Sequence, residues 1–394
     1  MPRIGTFDDW IDLFRQWQRD LNLDLPGLKD YQFEAKFGDL HSPEIEFGDF
    51  KGAHKWEKVL HIPDQRIRDT LLNLIVYQGD TEFASVEQQK NLIENAPTTH
   101  DLMALSRVMT EEMRHGYQMC NLLVNHFGAT GKTEAQKLLE RRAFEHNRLL
   151  GSFNEAVNNW LDFFTYTEFI DRDGKFQLKM LSHSAFEPLA RSMQPMLKEE
   201  SFHLGTGNNG LLRIIRKGRV PTDIIQRYFN KWIPTAYDLF GTDNSSSAHW
   251  AYVWGLKGRF NEESTTEPAD KEHLNEAARE LYRKELQGLV DRMNRLIPAD
   301  LPKLIVSDLK FNRAIGLHAG QTYDIYGNNL SATEYEEYKK KVFPTPEDDA
   351  RLQQIFEEGD WIDVKEAEGS KSGDRASWVY VHDSDGKGKP GTKN

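Results

Sequence analysis

The sequence predicts an all-α protein built around a four-helix bundle. Apolar residues recur three and four positions apart in several long segments, which is the pattern of amphipathic helices. A short motif, Glu-Glu-x-x-His, also occurs twice, at residues 111–115 and 199–203. Residues three apart on a helix project from one face, so each motif presents a glutamate beside a histidine. The predicted bundle therefore carries a paired polar site.

The 394-residue chain divides into four segments by composition. Residues 1–63 mix a short helical pattern with glycine, proline and aromatic residues, which predicts an irregular covering segment. Residues 64–300 carry the long helical stripes and form the predicted helical domain. Residues 301–363 contain short mixed elements, expected to pack on the bundle as an extension. Residues 364–394 are rich in glycine, serine, lysine and aspartate, a composition typical of a mobile tail.

The first two bundle helices are predicted on either side of Pro97, which ends one helix and precedes the next. Leu71 and Ile75 belong to the apolar stripe of the first helix. Each stripe is interrupted near its centre by an acid, Glu82 in the first helix and Glu112 in the second. Central acids on apolar stripes are typical of a functional interior.

The third and fourth bundle helices repeat this arrangement after a short crossover helix at residues 133–146. The third stripe contains Glu168 and Asp171, and the fourth contains Glu200 followed by His203. Two further helices are expected outside the bundle, over residues 221–239 and 270–296.

A glycine-rich run, residues 205–210, fits the dinucleotide-binding fingerprint in its letters. That fingerprint requires a preceding strand within a βαβ unit, and here the run is predicted to follow the fourth helix. We interpret it as relaxed helix geometry beside His203 rather than as a nucleotide site.

Equal spacing relates the two halves of the predicted site. Glu82 lies 30 residues before Glu112, and Asp171 lies 29 residues before Glu200. With turns near residues 97 and 184, each acid is about 20 Å from its turn, which places the members of each pair at one level. The residues that share this interior are Glu82, Glu112, His115, Asp171, Glu200 and His203.

Such a set of ligands indicates a two-metal site of the ferritin-like kind, with one carboxylate from each of two helices and Glu-x-x-His from each of the others. Carboxylate and imidazole ligands suit iron, with manganese as the alternative. Glu168, one turn before Asp171, is a further candidate ligand or a neighbouring acid. The competing interpretation is an ordinary bundle in which these residues form buried hydrogen bonds and ion pairs.

Composition excludes several classes of function. The net charge of −12 and the pI near 5.6 disfavour general binding to nucleic acids or anionic membranes. Cys120 is the single cysteine, so the chain offers no four-cysteine iron–sulfur cluster and any electrons must come from elsewhere. No apolar run approaches the ~20 residues that span a bilayer. We expect a soluble cytoplasmic protein, either a monomer or a homodimer.

Four strings of residues resemble a known family: residues 78–82 (QGDTE), 84–89 (ASVEQQ), 171–178 (DRDGKFQL) and 255–263 (GLKGRFNEE). They are similar to the bacterial di-iron oxygenases that include the benzoyl-CoA 2,3-epoxidase and phenylacetyl-CoA epoxidase components. The likeness extends over residues 45–345. It departs from the family pattern at Glu168, at Phe202 and in a shorter amino-terminal region, so the substrate can be another aromatic acyl-CoA.

The resemblance implies two iron ions on the six residues that the spacing selects. It implies an O2-dependent monooxygenase that epoxidises the ring of an aromatic acyl-CoA, benzoyl-CoA or similar, in aerobic aromatic degradation. Electrons would come from NADPH through a separate flavin and iron–sulfur reductase. Lys257 and Arg259 are candidates for contacts with CoA phosphates, a solvated loop being the alternative. The other function considered is a ferritin-like metal-oxidising or radical protein without an acyl-CoA substrate.

Overall fold

The computed structural model describes residues 4–23 and 31–364, in which the regular secondary structure is helical. Within these residues, extended pairing is limited to isolated β-bridges, and the predicted all-α class is confirmed. The helices are α1 (Phe7–Asp20), α2 (Gln65–Gln89), α3 (Thr99–His126), α4 (Gly128–Glu140), α5 (Trp160–Leu181), α6 (Glu187–Lys217), α7 (Thr222–Leu239), α8 (Ser246–Val253), α9 (Leu274–Asn294), α10 (Ala332–Val342) and α11 (Pro346–Glu358). In the described part of the chain, no helix combines the length and apolar character that crossing a membrane requires.

The central bundle consists of two helix pairs. Helix α2 packs along α3, α5 packs along α6, and the pairs meet through α3 and α6. Helix α4 crosses over between the pairs and lies against α3 and α2, while α7 covers the outer side of α5. The two motif-bearing helices, α3 and α6, are therefore neighbours in the bundle.

Side-chain caps fix where the bundle helices begin. Asp64 accepts a hydrogen bond from the backbone of Arg66 ahead of α2, and Thr98 accepts one from Asp101 ahead of α3. Asn159 caps α5 in the same way. Each such cap stabilises a helix start by about 1 kcal/mol. The registers of the motif residues depend on these start points.

The glycine-rich run at residues 205–210 lies inside α6, so the prediction that it follows the fourth helix is wrong. A Cβ atom on Gly207 would stand 2.6 Å from the backbone nitrogen of Glu168, and one on Gly210 would overlap the ring of Phe164. These glycines allow α5 and α6 to approach closely. Close packing here outweighs the low helix propensity of glycine.

Buried ion pairs explain the polar middle of α2. The Arg148 guanidinium, which is fully buried, lies 3.1 Å from Asp80 Oδ1 and 2.8 Å from Glu87 Oε1. The backbone N–H of Leu149 also donates to Asp80, at 2.7 Å. The segment between α4 and α5 is thereby fastened to the outer face of α2.

The amino-terminal segment contributes helix α1, whose aromatic face is fully buried. Trp10, Phe14 and Trp17 follow one another in stacked pairs along this helix. They pack against Phe83 of α2 and Tyr117 of α3. Tyr117 is thus a core aromatic residue on the outer side of the bundle.

Residues 301–363 hold α10 and α11 with a small second core of Phe311, Ile325 and Tyr335. The Arg227 guanidinium on α7 binds Asp348 of α11 at 2.6 Å, which attaches this extension to the helical domain. From residue 365 onward, the predicted tail at 364–394 lies outside the described residues.

Candidate metal centre

The bundle interior brings together five of the six predicted ligand residues as two groups that share a member. Glu82, Glu112 and His115 form one group, and Glu112, Glu200 and His203 form the other. Within each group the candidate ligand atoms lie within 4.8 Å of one another, and all five residues are buried. The helical spacing of each motif thus places a glutamate and a histidine on one interior face.

Each motif histidine is oriented by the first glutamate of the opposite motif. His115 Nε2 lies 2.9 Å from Glu199 Oε2, and His203 Nε2 lies 3.1 Å from Glu111 Oε2. A carboxylate only accepts hydrogen bonds, so the Nε2–H group of each ring is the donor. In a neutral ring this assignment leaves Nδ1 with a lone pair, as a metal ligand requires. Nδ1 of His203 has no hydrogen-bond partner among the described residues, whereas Nδ1 of His115 is within hydrogen-bond distance of Glu82 and would exchange that contact for a metal.

Both Nδ1 atoms face the shared carboxylates. His115 Nδ1 lies 3.3 Å from Glu82 Oε2, 4.0 Å from Glu112 Oε2 and 3.8 Å from Glu200 Oε1. His203 Nδ1 lies 3.5 Å from Glu112 Oε1 and 3.5 Å from Glu200 Oε2, the oxygens that point away from His115. Glu112 and Glu200 therefore each direct one oxygen toward His115 and the other toward His203.

Asp171 and Glu168 occupy different surroundings although they lie one turn apart on α5. Asp171 is buried beside Glu200 and His203 and lines the central cavity. Glu168 accepts a hydrogen bond from the Arg172 guanidinium at 3.1 Å, and burial raises its pKa to about 7. Among the described residues, Glu168 belongs to neither of the two groups above.

The donor atoms fit a pair of divalent cations. Asp171 Oδ2, Glu200 Oε2 and His203 Nδ1 are buried and have no hydrogen-bond partner within the described part of the chain. Unpaired buried polar atoms cost free energy, and metal coordination is one way of satisfying them. Carboxylate oxygens with imidazole nitrogens are ligands that suit iron or manganese.

The electrostatics of the site agree with that fit. Burial raises the pKa of Glu112 well above its usual range, and the neighbouring Glu82 raises it further. Burial likewise raises the pKa of Asp171, with Glu200 adding to the effect. Burial alone would lower the pKa of His203, but the charge of Glu200 together with hydrogen bonds to Glu111, Glu112 and Glu200 outweighs it, and the pKa rises overall. Ionised forms of Glu112 and Asp171 are therefore unfavourable without metal, and bound cations would stabilise them.

Glu199 and Glu111, the first glutamates of the two motifs, are each held by an arginine. The Arg114 guanidinium, which is fully buried, donates from Nε to Glu199 Oε2 at 2.8 Å. Arg107 donates from Nε to Glu111 at 2.8 Å and stacks over the ring of Phe202, 3.9 Å from its centroid. Phe202 therefore supports the arginine that holds Glu111.

A cavity of about 570 Å³ reaches the metal-facing acids from between α2 and α5, with α8 along its outer side. Glu82, Glu112, Asp171 and Glu200 line its inner end. A volume of this size is typical of sites that bind small organic ligands.

Lys257 and Arg259 also line the cavity, in the loop that follows α8. Lys257 Nζ donates to Gln177 at 2.5 Å, and the Arg259 guanidinium binds Glu262 at 2.9 Å. Both side chains are half-buried and are bound by neighbouring protein groups.

Comparison with known proteins assigns the family. The family model described as phenylacetic acid catabolic protein matches residues 59–296, more than half of the chain. The chain belongs to this family. It is 36% identical to benzoyl-CoA oxygenase component B of Aromatoleum evansii, with 87% of each chain covered. It is 24% identical to one of the subunits of 1,2-phenylacetyl-CoA epoxidase of Escherichia coli (strain K12), over 50% of this chain and 62% of that protein. The resemblance seen in the residue strings is confirmed.

Several residues at this family site were not identified from the sequence. Tyr166 of α5 is fully buried, lines the cavity and lies near Asp171 and Glu112, whose charges add to burial in raising its pKa. Gln78 donates to Glu82 at 2.6 Å. Gln78 precedes Glu82 by four residues, so helical spacing was a usable signal for that contact. No motif marked Tyr166.

Proposed function

We propose that this protein is an O2-dependent di-iron monooxygenase that epoxidises the ring of an aromatic acyl-CoA, benzoyl-CoA or a similar thioester. The observation that carries the proposal is a pair of carboxylate–histidine groups sharing Glu112 at the inner end of a 570 Å³ cavity. Both curated relatives support the substrate class, since their names specify benzoyl-CoA and phenylacetyl-CoA.

The proposed iron ligands are the six residues selected by spacing: Glu82, Glu112, His115, Asp171, Glu200 and His203. Glu112 and Glu200 would help to hold both ions, because each directs one oxygen toward His115 and the other toward His203. Glu82 would complete one half and Asp171 the other. Two iron ions in such a site supply the electrons and the Lewis acidity for O2 activation.

The protein's own residues would position the ligands and the substrate. Glu199 and Glu111 hold the histidine rings in the tautomer that turns Nδ1 inward. The cavity walls place the aromatic ring next to the carboxylate cluster and keep bulk water away from it. Lys257 and Arg259 stand on the wall of that cavity, where they would attract CoA phosphates at the cost of their present partners.

Electrons would reach the site from NADPH through a separate flavin and iron–sulfur reductase. The chain has a single cysteine, Cys120, which is buried. Because one cysteine cannot hold an iron–sulfur cluster, a partner with its own redox groups is required by this proposal.

The proposal is tested by supplying the iron-loaded protein with NADPH, a reductase of the stated type and benzoyl-CoA or phenylacetyl-CoA. We expect O2 uptake that depends on the thioester, together with an oxygenated thioester product. Oxidation of the iron without product, across a panel of aromatic acyl-CoA thioesters, would favour the ferritin-like alternative.

The ligand assignment is tested separately by metal content. The Glu112→Ala and His203→Ala variants are expected to lose iron while remaining helical by circular dichroism. Full iron occupancy in either variant would contradict the assignment. The exposed Glu280→Gln change on α9 serves as the control and is expected to retain both ions.

A further inference from the structure

A second group of metal-ligating side chains lies apart from the bundle interior. His41 belongs to the irregular amino-terminal segment, His183 to the turn between α5 and α6, and Glu263 to the loop between α8 and α9. Their candidate ligand atoms lie within 4.8 Å of one another. The three residues are far apart in sequence and meet only in the folded chain.

His183 is held in position for a ligand role. Its side chain is fully buried, and Nδ1 lies 3.3 Å from both carboxylate oxygens of Glu46. Since a carboxylate only accepts, Nδ1 carries the hydrogen, and a neutral ring then has its lone pair on Nε2. Nε2 has no hydrogen-bond partner among the described residues and lies 3.6 Å from Glu263 Oε1. His183 Nε2, which accepts no hydrogen bond from the described residues, thus faces a carboxylate oxygen of Glu263.

His41 presents the same atom to the same oxygen. Its Nε2 lies 3.1 Å from Glu263 Oε1, and its ring stacks on that of His183 with centroids 5.1 Å apart. Two stacked imidazolium rings would repel each other, so the stacking favours neutral rings. Burial lowers the pKa of His41, which agrees with a neutral ring.

We propose that His41, His183 and Glu263 bind one divalent transition-metal ion of the zinc type, separate from the di-iron centre. Two ligands at zinc bond lengths and a tetrahedral angle lie about 3.3–3.5 Å apart, and the observed nitrogen–oxygen separations of 3.1 and 3.6 Å bracket that range. The hydrogen bond from His183 to Glu46 is the carboxylate–histidine contact that usually orients a zinc-bound imidazole.

Two lysines stand beside these carboxylates. Lys179 Nζ lies 2.6 Å from Glu263 Oε1, and Lys55 Nζ lies 3.4 Å from Glu46 Oε2. The Lys179 pair is partly exposed and therefore weak. Gln194 Nε2 also lies 2.9 Å from His41 Nε2, as an amide donor to a ring lone pair would. Metal binding displaces the Lys179 and Gln194 contacts and leaves the Glu46 contact in place.

The site would act structurally on the wall of the substrate cavity. The Gly258 N–H donates to the Met180 carbonyl at 3.0 Å, and residues 257–259 line the cavity. A metal ion on Glu263 would join this loop to the end of α5 and to the amino-terminal segment. Loop 257–263 would then keep one position over the cavity.

Zinc binding to the full-length, iron-loaded protein tests this proposal, by equilibrium dialysis with iron content measured in the same samples. We expect one zinc ion per chain with the wild type. The His41→Gln and Glu263→Gln variants, changed at partly exposed side chains, are expected to bind it at least tenfold more weakly with iron unchanged. His273→Gln, an exposed histidine on another surface, serves as the matched control and retains zinc binding.

Cobalt(II) provides a second readout, since a tetrahedral site gives intense visible bands that a carboxylate-rich, higher-coordinate site does not. These bands are expected in wild type and absent in His41→Gln and Glu263→Gln. Equal zinc binding in wild type and both variants would overturn the proposal. The proposal would also be overturned if both variants lost the additional zinc ion only when they lost iron as well. Either result leaves the di-iron proposal intact, because that proposal is judged by Glu112→Ala and His203→Ala.

Discussion

Glu199 of α6 accepts a hydrogen bond from His115 of α3 at 2.9 Å, so the acid beside one motif orients the histidine of the other. Glu111 and His203 repeat the relationship in the opposite direction at 3.1 Å. The doubled glutamates in the sequence therefore have separate tasks, one facing the proposed metals and one facing the opposite histidine.

Removing the charge of a flanking acid is expected to weaken metal binding. In Glu199→Gln, the ring of His115 loses its charged partner, and metal affinity should fall about 10- to 100-fold. Glu111→Gln should have a similar effect through His203. Competition with a chelator measures both affinities, and unchanged values would contradict the orienting role.

The same two variants should differ in stability. Glu199→Gln leaves the fully buried guanidinium of Arg114 without a charged partner, whereas Arg107, the partner of Glu111, is partly exposed. An unpaired buried charge is the more costly of the two. Thermal unfolding of the metal-free proteins should therefore show a lower Tm for Glu199→Gln than for Glu111→Gln. An equal Tm would argue against this difference.

Gly207→Ala is expected to destabilise the protein by about 1–3 kcal/mol, because the added methyl group would overlap the backbone of Glu168. Gly205→Ala, two residues earlier on the same helix, meets no atom within 4 Å. That control should raise stability by about 0.5–1 kcal/mol through helix propensity. Denaturant midpoints compare the two, and equal shifts would refute the close-packing role of Gly207.

A bulky residue at Gly174 is expected to block the cavity. The position lines the cavity, and a Cβ atom there would lie 3.9 Å from Glu200 Oε1. Gly174→Phe should keep its iron but lose at least tenfold in acyl-CoA-dependent O2 uptake, while Gly174→Ala should retain most of it. Full activity in the phenylalanine variant would place the substrate elsewhere.

Glu168 is expected to make stability depend on pH. Burial raises its pKa from 4.5 to about 7, although Arg172 opposes the shift. The folded state thus binds the proton more tightly than the unfolded chain. The resulting stability is complete below about pH 4.5 and is lost as the pH rises through about 7, a change of about 3 kcal/mol.

Glu168→Gln tests this expectation, because the amide keeps an acceptor for Arg172 without the titrating proton. The variant should gain stability relative to wild type between pH 5 and pH 8, as measured by thermal unfolding. The exposed Glu280→Gln change should show no such trend. A stability difference that is independent of pH would contradict the raised pKa.

Helical periodicity predicted the fold class, the bundle helices and the neighbouring positions of the motif residues. These depend on local spacing, which a sequence displays directly. The pairing of Glu199 with His115 depends on how α3 and α6 are rotated against each other, and periodicity does not specify that angle. The glycines at 205–210 were placed after the fourth helix, because the close approach of α5 that favours glycine inside α6 is a tertiary contact.

The proximity of His41, His183 and Glu263 could not be predicted from the sequence either. Its members come from an irregular segment, a turn and a loop, none of which has a repeating pattern. Tyr166 was missed for a related reason, because nothing in its local sequence distinguishes it from the other aromatic residues of α5. Tertiary packing alone gives these residues their surroundings.

The raised pKa values of Glu112 and Asp171 have a consequence for how the proposed metal centre would be loaded. Without cations these buried carboxyl groups bind protons more tightly than exposed carboxyl groups do, and coordination requires the release of any proton they hold. Each ion that enters should therefore expel protons into the buffer, and its apparent affinity should increase as the pH rises. The proposed metal centre would then exchange protons for metal ions, and iron uptake would be most favourable at high pH.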